Sequence, residues 1–111
     1  MAIPHAQPGD IVDVRPLGSA LAGARSHAVF KSADLEVIRL VLRTGDGMPP
    51  HAVAGENPLQ CNEGRIAFDC AAGSLELAAG QLVHVSGDDI HSLHALENSS
   101  LLLTIALKSS P

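Results

Sequence analysis

The stretch GDGMPPHAVAGENPLQCNEG, residues 45–64, carries a glycine at each end and places His51 six residues after the first of them. A second stretch, GQLVHVSGDDIHSLHA, residues 80–95, opens on Gly80 and reaches His91 eleven residues on. Around both, short apolar runs alternate with turn formers. Strands are expected at Ile11–Val14, Ala28–Phe30, Leu35–Leu42, Leu59–Cys61, Arg65–Cys70, Leu75–Leu77, Leu82–Val85, His91–Leu96 and Leu101–Leu107. Turn residues separate them at Gly45–Gly47, Glu63–Gly64, Ala72–Ser74, Ala79–Gly80, Gly87–Asp89 and Asn98–Ser100. Many short strands at this spacing predict an all-β sandwich or barrel. Two distant histidines can then converge inside one small barrel.

Helical signals are weak. Leu17–Ala24 can form a turn or two of helix, limited by Gly18 and Gly23. Within Leu35–Leu42 the apolar phase shifts between Val37 and Ile38, which predicts a bulge or a strand covered on both faces. The last strand is also apolar on both faces, with Leu101, Leu103, Ile105 and Leu107 on one and Leu102 and Ala106 on the other. A barrel interior buries only one face, so the second needs cover from the N-terminal segment or from a second subunit. A homodimer is therefore expected, and a concentration-independent monomer in analytical ultracentrifugation would exclude it.

The chain has 111 residues, enough for one domain with a real core. Residues 1–10, with Pro4, Pro8 and Gly9, read as a loosely held arm, and residues 11–111 as the single domain. The formal charge is −5 with seven Lys and Arg, which opposes binding to phosphate backbones or anionic lipid. There is no Trp or Tyr, and Phe30 and Phe68 are the only aromatics of that class, so stacking platforms for sugars or nucleobases are scarce. No apolar run approaches the length of a membrane span, and no signal peptide is visible. A cytoplasmic location follows as the expectation, with Cys61 and Cys70 as thiols. A hairpin turning near Glu63–Gly64 would set Cys61 opposite Ile66 and Cys70 opposite Asn57, keeping the sulfurs apart. No nucleophile elbow, phosphate loop or Cys-x-x-Cys is present.

The two frames resemble those of the cupin superfamily, whose motifs are written G-x5-H-x-H-x3-E-x6-G and G-x5-P-x-G-x2-H-x3-N. Gly45, His51 and Gly64 fall on the first and Gly80 and His91 on the second, without insertion. The remaining motif positions hold Val53, Asn57, Ser86, Asp88 and Ala95. The resemblance covers residues 45–95 directly and the Leu101–Leu107 strand by layout. It implies an antiparallel double-stranded β-helix, or jelly roll, with a divalent metal (Zn, Fe, Ni, Mn or Cu) held by three histidines and a glutamate. Here His51 and His91 match as ligands, Asn57 stands at the glutamate position and Val53 replaces a histidine.

A cavity lined by His51, Asn57 and His91, with Gln60 and His84 as further ligand or proton-transfer groups, is expected to take a small oxygenated molecule. The family implies metal-dependent oxygenase- or isomerase-like chemistry. The readings left open are a metal-free binding or sensing protein and an interaction module with a vestigial cavity. Glu56 should face away from Asn57 by strand alternation, and Gln60 has the same parity problem relative to Asn57 unless a bulge intervenes. His94 should point away from His91. His5 and His27 have no supporting constellation. Asp88 and Asp89 are read as solvating the turn that enters the His91 strand.

Overall fold

A computed structural model describes residues 4–107; residues 1–3 of the expected arm and 108–111 of the expected domain lie outside it. Nine strands follow in chain order: β1 (His27–Lys31), β2 (Leu35–Leu42), β3 (Gly47–His51), β4 (Leu59–Glu63), β5 (Arg65–Cys70), β6 (Gly73–Ala78), β7 (Leu82–Val83), β8 (His91–Ala95) and β9 (Ser99–Ala106). They form a five-stranded sheet, β1-β2-β9-β4-β7, and a four-stranded sheet, β3-β8-β5-β6. Every pairing is antiparallel. This is the all-β sandwich expected from the strand spacing, and the jelly roll that the family resemblance implies.

The core lies between the sheets. Leu59, Cys61 and Leu101 from the larger sheet meet Ile66, Phe68, Leu77 and Leu93 from the smaller one, with Val85 closing one end. Register fixes which residues enter it. Ile38, Leu103, Leu59 and Val83 lie across from one another, as do Leu40, Leu101 and Cys61. The row between them, Arg39, Leu102, Gln60 and Leu82, occupies the outer face.

The phase shift in β2 has its cause in β1. Ala28 faces Ile38 and Phe30 faces Val37, so Val29 is an extra residue opposite that step. The second face of β2 and β9 is covered in part by the N-terminal segment, most closely at Arg39. Buried Arg39 donates from its guanidinium to the carbonyls of Val14 and Arg15, and Asn62 donates to Val14 at 2.6 Å. Glu63 accepts from the backbone N–H groups of Leu17 (2.6 Å) and Gly18 (3.1 Å) and from the Ser100 hydroxyl (2.8 Å). Burial works to raise the Glu63 pKa, but these donors and the Arg39 charge outweigh it and leave the carboxyl below its ordinary value. The segment then makes two turns of 3-10 helix, Gly18–Gly23, which bury Leu21.

Three sequence expectations are corrected. Ile11–Val14 alternates but forms no strand, because it has no ladder partner; Ile11 is 98% exposed. Gly47–His51 is a strand although Pro49 and Pro50 conceal it in the sequence. β4 and β5 do not form a hairpin; at Gly64 the chain crosses from one sheet to the other. Gly64 has φ +88°, and a Cβ there would meet Ser99 Oγ at 2.2 Å and the Asn98 carbonyl at 2.4 Å, so glycine alone fits the crossing. Cys61 therefore faces Leu101, and Cys70 faces Gly73 in the β5–β6 hairpin. Both are free thiols, and burial pushes the Cys61 pKa up, which makes that sulfur a poor nucleophile.

Candidate functional site

His51 ends β3 and His91 begins β8, and the two face each other across the ladder with ring centroids 4.4 Å apart. Each ring is oriented by the same local device. His51 Nδ1 lies 2.9 Å from the Pro49 carbonyl, and His91 Nδ1 lies 2.8 Å from the Asp89 carbonyl. A carbonyl only accepts, so each Nδ1 carries a proton, and a neutral imidazole held this way presents its lone pair at Nε2. That is the tautomer a metal-ligating imidazole needs, fixed by an outer hydrogen bond. His91 is buried and stacks on Phe68, with centroids 5.6 Å apart and planes inclined by 21°.

The turn that delivers His91 passes through Asp88 at φ +63°, the described non-glycine residue with positive φ. Asp88 stands where the family motif has glycine, and aspartate is among the few residues that reach this conformation at modest cost. The Asp88 N–H donates to the Val53 carbonyl at 2.7 Å, tying this turn to the loop after β3. The same loop is held at Gly55, where a Cβ would lie 1.8 Å from the Ala106 carbonyl. Its final residues are fixed by Ala106 N–H to the Glu56 carbonyl (2.8 Å) and by Asn57 N–H to the Val85 carbonyl (3.0 Å). Asn57 is thereby driven inward, 1% exposed, and its Oδ1 has no hydrogen-bond donor. A buried acceptor without a donor costs about 1–3 kcal/mol.

His51, His91 and Asn57 line one small cavity in the barrel, with Met48, Phe68 and aliphatic side chains as its walls. The free space is about 10 Å³, room for one water molecule or one ion and not for a metabolite. No charged side chain lines it. Among the described residues, no three His, Cys, Asp or Glu side chains come together where they could hold a metal. Val53 supplies no ligand. The donors are thus two imidazoles and one amide oxygen, all neutral, which fit a single weakly held ion with positions left to other donors.

Gln60 and His84 are not brought to this cavity. Gln60 stands in the outward row between Leu102 and Leu82 and is exposed, because β4 runs unbulged from Leu59 to Cys61. His84 follows Leu82 by two residues and shares its outward side. Its Nε2 lies 2.9 Å from Glu56 Oε1 in a pair that is two-thirds exposed on both sides. Glu56 faces away from Asn57, and exposed His94 faces away from His91, as alternation requires. The residue missed in the sequence is Met48, whose inward placement depends on a bulge at Pro49-Pro50.

A far larger cavity, about 710 Å³, lies outside the barrel between the arm (His5–Asp10, Val12, Val14) and the outer face at Phe30, Val37, Leu102 and Thr104. No helix among the described residues is long and apolar enough to cross a membrane.

No protein-family profile matches the sequence, and no curated protein is significantly similar to it. The structure is similar to solved ones. A cupin superfamily protein from Desulfitobacterium hafniense DCB-2 superposes with TM-score 0.77 at 16% identity, covering 93% of this chain and 100% of that one. An RmlC-like cupin from Shewanella frigidimarina NCIMB 400 gives TM-score 0.73 at 16% identity, over 97% and 95% of the two chains. KdgF from Halomonas sp. gives TM-score 0.69 at 16% identity, over 77% and 79%. With nine antiparallel strands among the described residues, in two facing sheets, and with His51 and His91 on one ladder, the chain has the fold of a small cupin.

Proposed function

We propose that this cupin binds one transition-metal ion at His51 and His91, with Asn57 Oδ1 as a third, weaker donor. The observation that carries the reading is the pair of Nδ1–H bonds to the Pro49 and Asp89 carbonyls, which leaves both Nε2 lone pairs available at adjacent rings. The orphaned Asn57 oxygen supports it. A bound ion would supply Lewis acidity. The chain's own contribution is to fix two neutral imidazoles, hold His91 against Phe68, and keep bulk water from the inner side with apolar walls. A cavity of about 10 Å³ gives a metabolite no room inside the barrel, so oxygenase- or isomerase-like chemistry would need its substrate at the rim, where His51 is partly exposed.

Tag-free protein should take up close to one equivalent of Ni(II), Zn(II) or copper in calorimetric titration. His51→Ala and His91→Ala are each expected to lower the affinity by about 100-fold, at or beyond what loss of an outer-shell partner costs. Uptake that both variants leave unchanged would remove the proposal.

A second reading, metal-free small-molecule binding, is favoured by the outer cavity, whose volume of about 710 Å³ is in the range of metabolite sites. A ligand found by a rise in melting temperature would belong there if the rise persists in the double His51→Ala/His91→Ala variant. The homodimer stays a proposal supported by exposed Leu82, Ile11 and Ile90. A cytoplasmic location is a proposal supported by two free thiols.

A further inference from the structure

We infer that the ion this site selects is cuprous copper, with the Met48 thioether sulfur as a ligand beside His51 and His91. The inference rests on the metal reading above and adds to it an ion and a residue.

Placement comes first. Met48 faces Leu93 and His51 faces His91 on the β3–β8 ladder. Leu93 and His91 are two apart on β8 and therefore share the inward face. Met48 and His51 are three apart, which simple alternation would put on opposite faces. Three steps on β3 opposing two on β8 is a one-residue bulge, and it falls on Pro49-Pro50. Proline has no N–H to give the ladder, so a bulge there forfeits little pairing. The bulge cancels the odd spacing and turns both Met48 and His51 into the cavity, where both line the wall with His91 and Asn57.

Charge and softness then select the ion. No carboxylate or thiolate lines the cavity, so the wall cannot neutralise an entering cation. The cost of stripping water from an ion rises with the square of its charge, so a divalent ion pays about four times what a monovalent one does in the same wall. Hard ions keep several oxygen ligands or waters, and about 10 Å³ has no space for them. Imidazole and thioether are the donors that suit Cu(I), which is content with few ligands. Phe68 and Leu93 line the same pocket with Met48, an apolar setting that favours the lower charge state.

The test uses the full, tag-free chain under anaerobic reducing conditions. Cu(I) affinity is read by competition with bicinchoninate and Zn(II) affinity by competition with a chromophoric chelator. One equivalent of Cu(I) should bind, more tightly than Zn(II). Met48→Leu, a volume-conserving change, should weaken Cu(I) by about 10–100-fold and leave Zn(II) within about twofold, because only the soft ion uses the sulfur. Copper K-edge absorption of the unmodified protein should show a sulfur scatterer beside two imidazoles, a readout that stands even if the variant folds poorly. Equal Cu(I) binding by Met48→Leu, or binding that is lost in Cys70→Ser instead, overturns the cuprous assignment. Zn(II) bound through His51 and His91 without preference for Cu(I) also overturns it while the metal reading stands. Binding of neither ion removes both.

Discussion

Phe68→Ala is expected to lower the free energy of unfolding by about 3–5 kcal/mol, the range for emptying a buried phenylalanine site. Phe68 is 1% exposed and belongs to the core between the two sheets, where Leu59, Ile66 and Leu93 surround the same space. Neighbouring strands hold those residues by backbone ladders, so the walls cannot close on the void. A domain of this size has about 5–15 kcal/mol in total, so the variant should be partly unfolded at ambient temperature or melt far below the parent. Urea denaturation followed by circular dichroism gives the value. Phe68→Leu separates the two roles of the ring: it keeps most of the volume, with a loss nearer 1–2 kcal/mol by the same rule. It also removes the stack under His91. Metal affinity should then fall in a protein that remains folded, because His91 is free to turn. An unfolding loss below about 1 kcal/mol for Phe68→Ala would mean that the core is not packed as described.

The second large effect is expected at Asn57, where stability and binding should move in opposite directions. Asn57→Leu removes a buried acceptor that has no donor and fills the same space with hydrocarbon, so the metal-free protein should gain about 1 kcal/mol. Its metal affinity should drop, since the third donor is gone. Asn57→Asp does the reverse. It places a carboxylate in a wall with no charged side chain, which should cost the metal-free protein about 3–5 kcal/mol. Zn(II) should recover about half of that loss by binding about 10–100-fold more tightly, because an anionic oxygen replaces an amide. Thermal melts with and without the ion read both changes. If Asn57→Leu destabilises and leaves metal affinity untouched, Asn57 is a structural residue and not a donor.

Much of the architecture was legible because it depends on local signals. Turn residues at regular spacing located eight of the nine described strands; they missed β3 and placed a strand at Ile11–Val14, where none forms. Val29 shows how a tertiary feature leaves a trace: the phase shift between Val37 and Ile38 in β2 mirrors the bulge in the neighbouring strand. The expectation that β9 needs cover on its second face was likewise sound, since an apolar strand face must be shielded from water. The sequence left open whether the N-terminal segment or a second subunit supplies that cover; Arg39 reaching the carbonyls of Val14 and Arg15 is what brings the segment there.

The sequence by itself determined the two glycine-framed turns, the pairing of His51 with His91 as the polar residues of interest, and the absence of a histidine at Val53 and a carboxylate at Asn57. These follow from residue identity and spacing, which a chain carries before it folds. Only the tertiary structure decided which side chains share the cavity. Strand parity is a running count along the chain, and one bulge inverts it: Pro49-Pro50 turns Met48 inward, whereas the regular Leu59–Cys61 part of β4 leaves Gln60 outside, and His84, just after β7, lies beside Glu56. The volume of the site was equally invisible in sequence. It is set by how closely two sheets approach around Phe68, and at about 10 Å³ it leaves no room for the metabolite expected there.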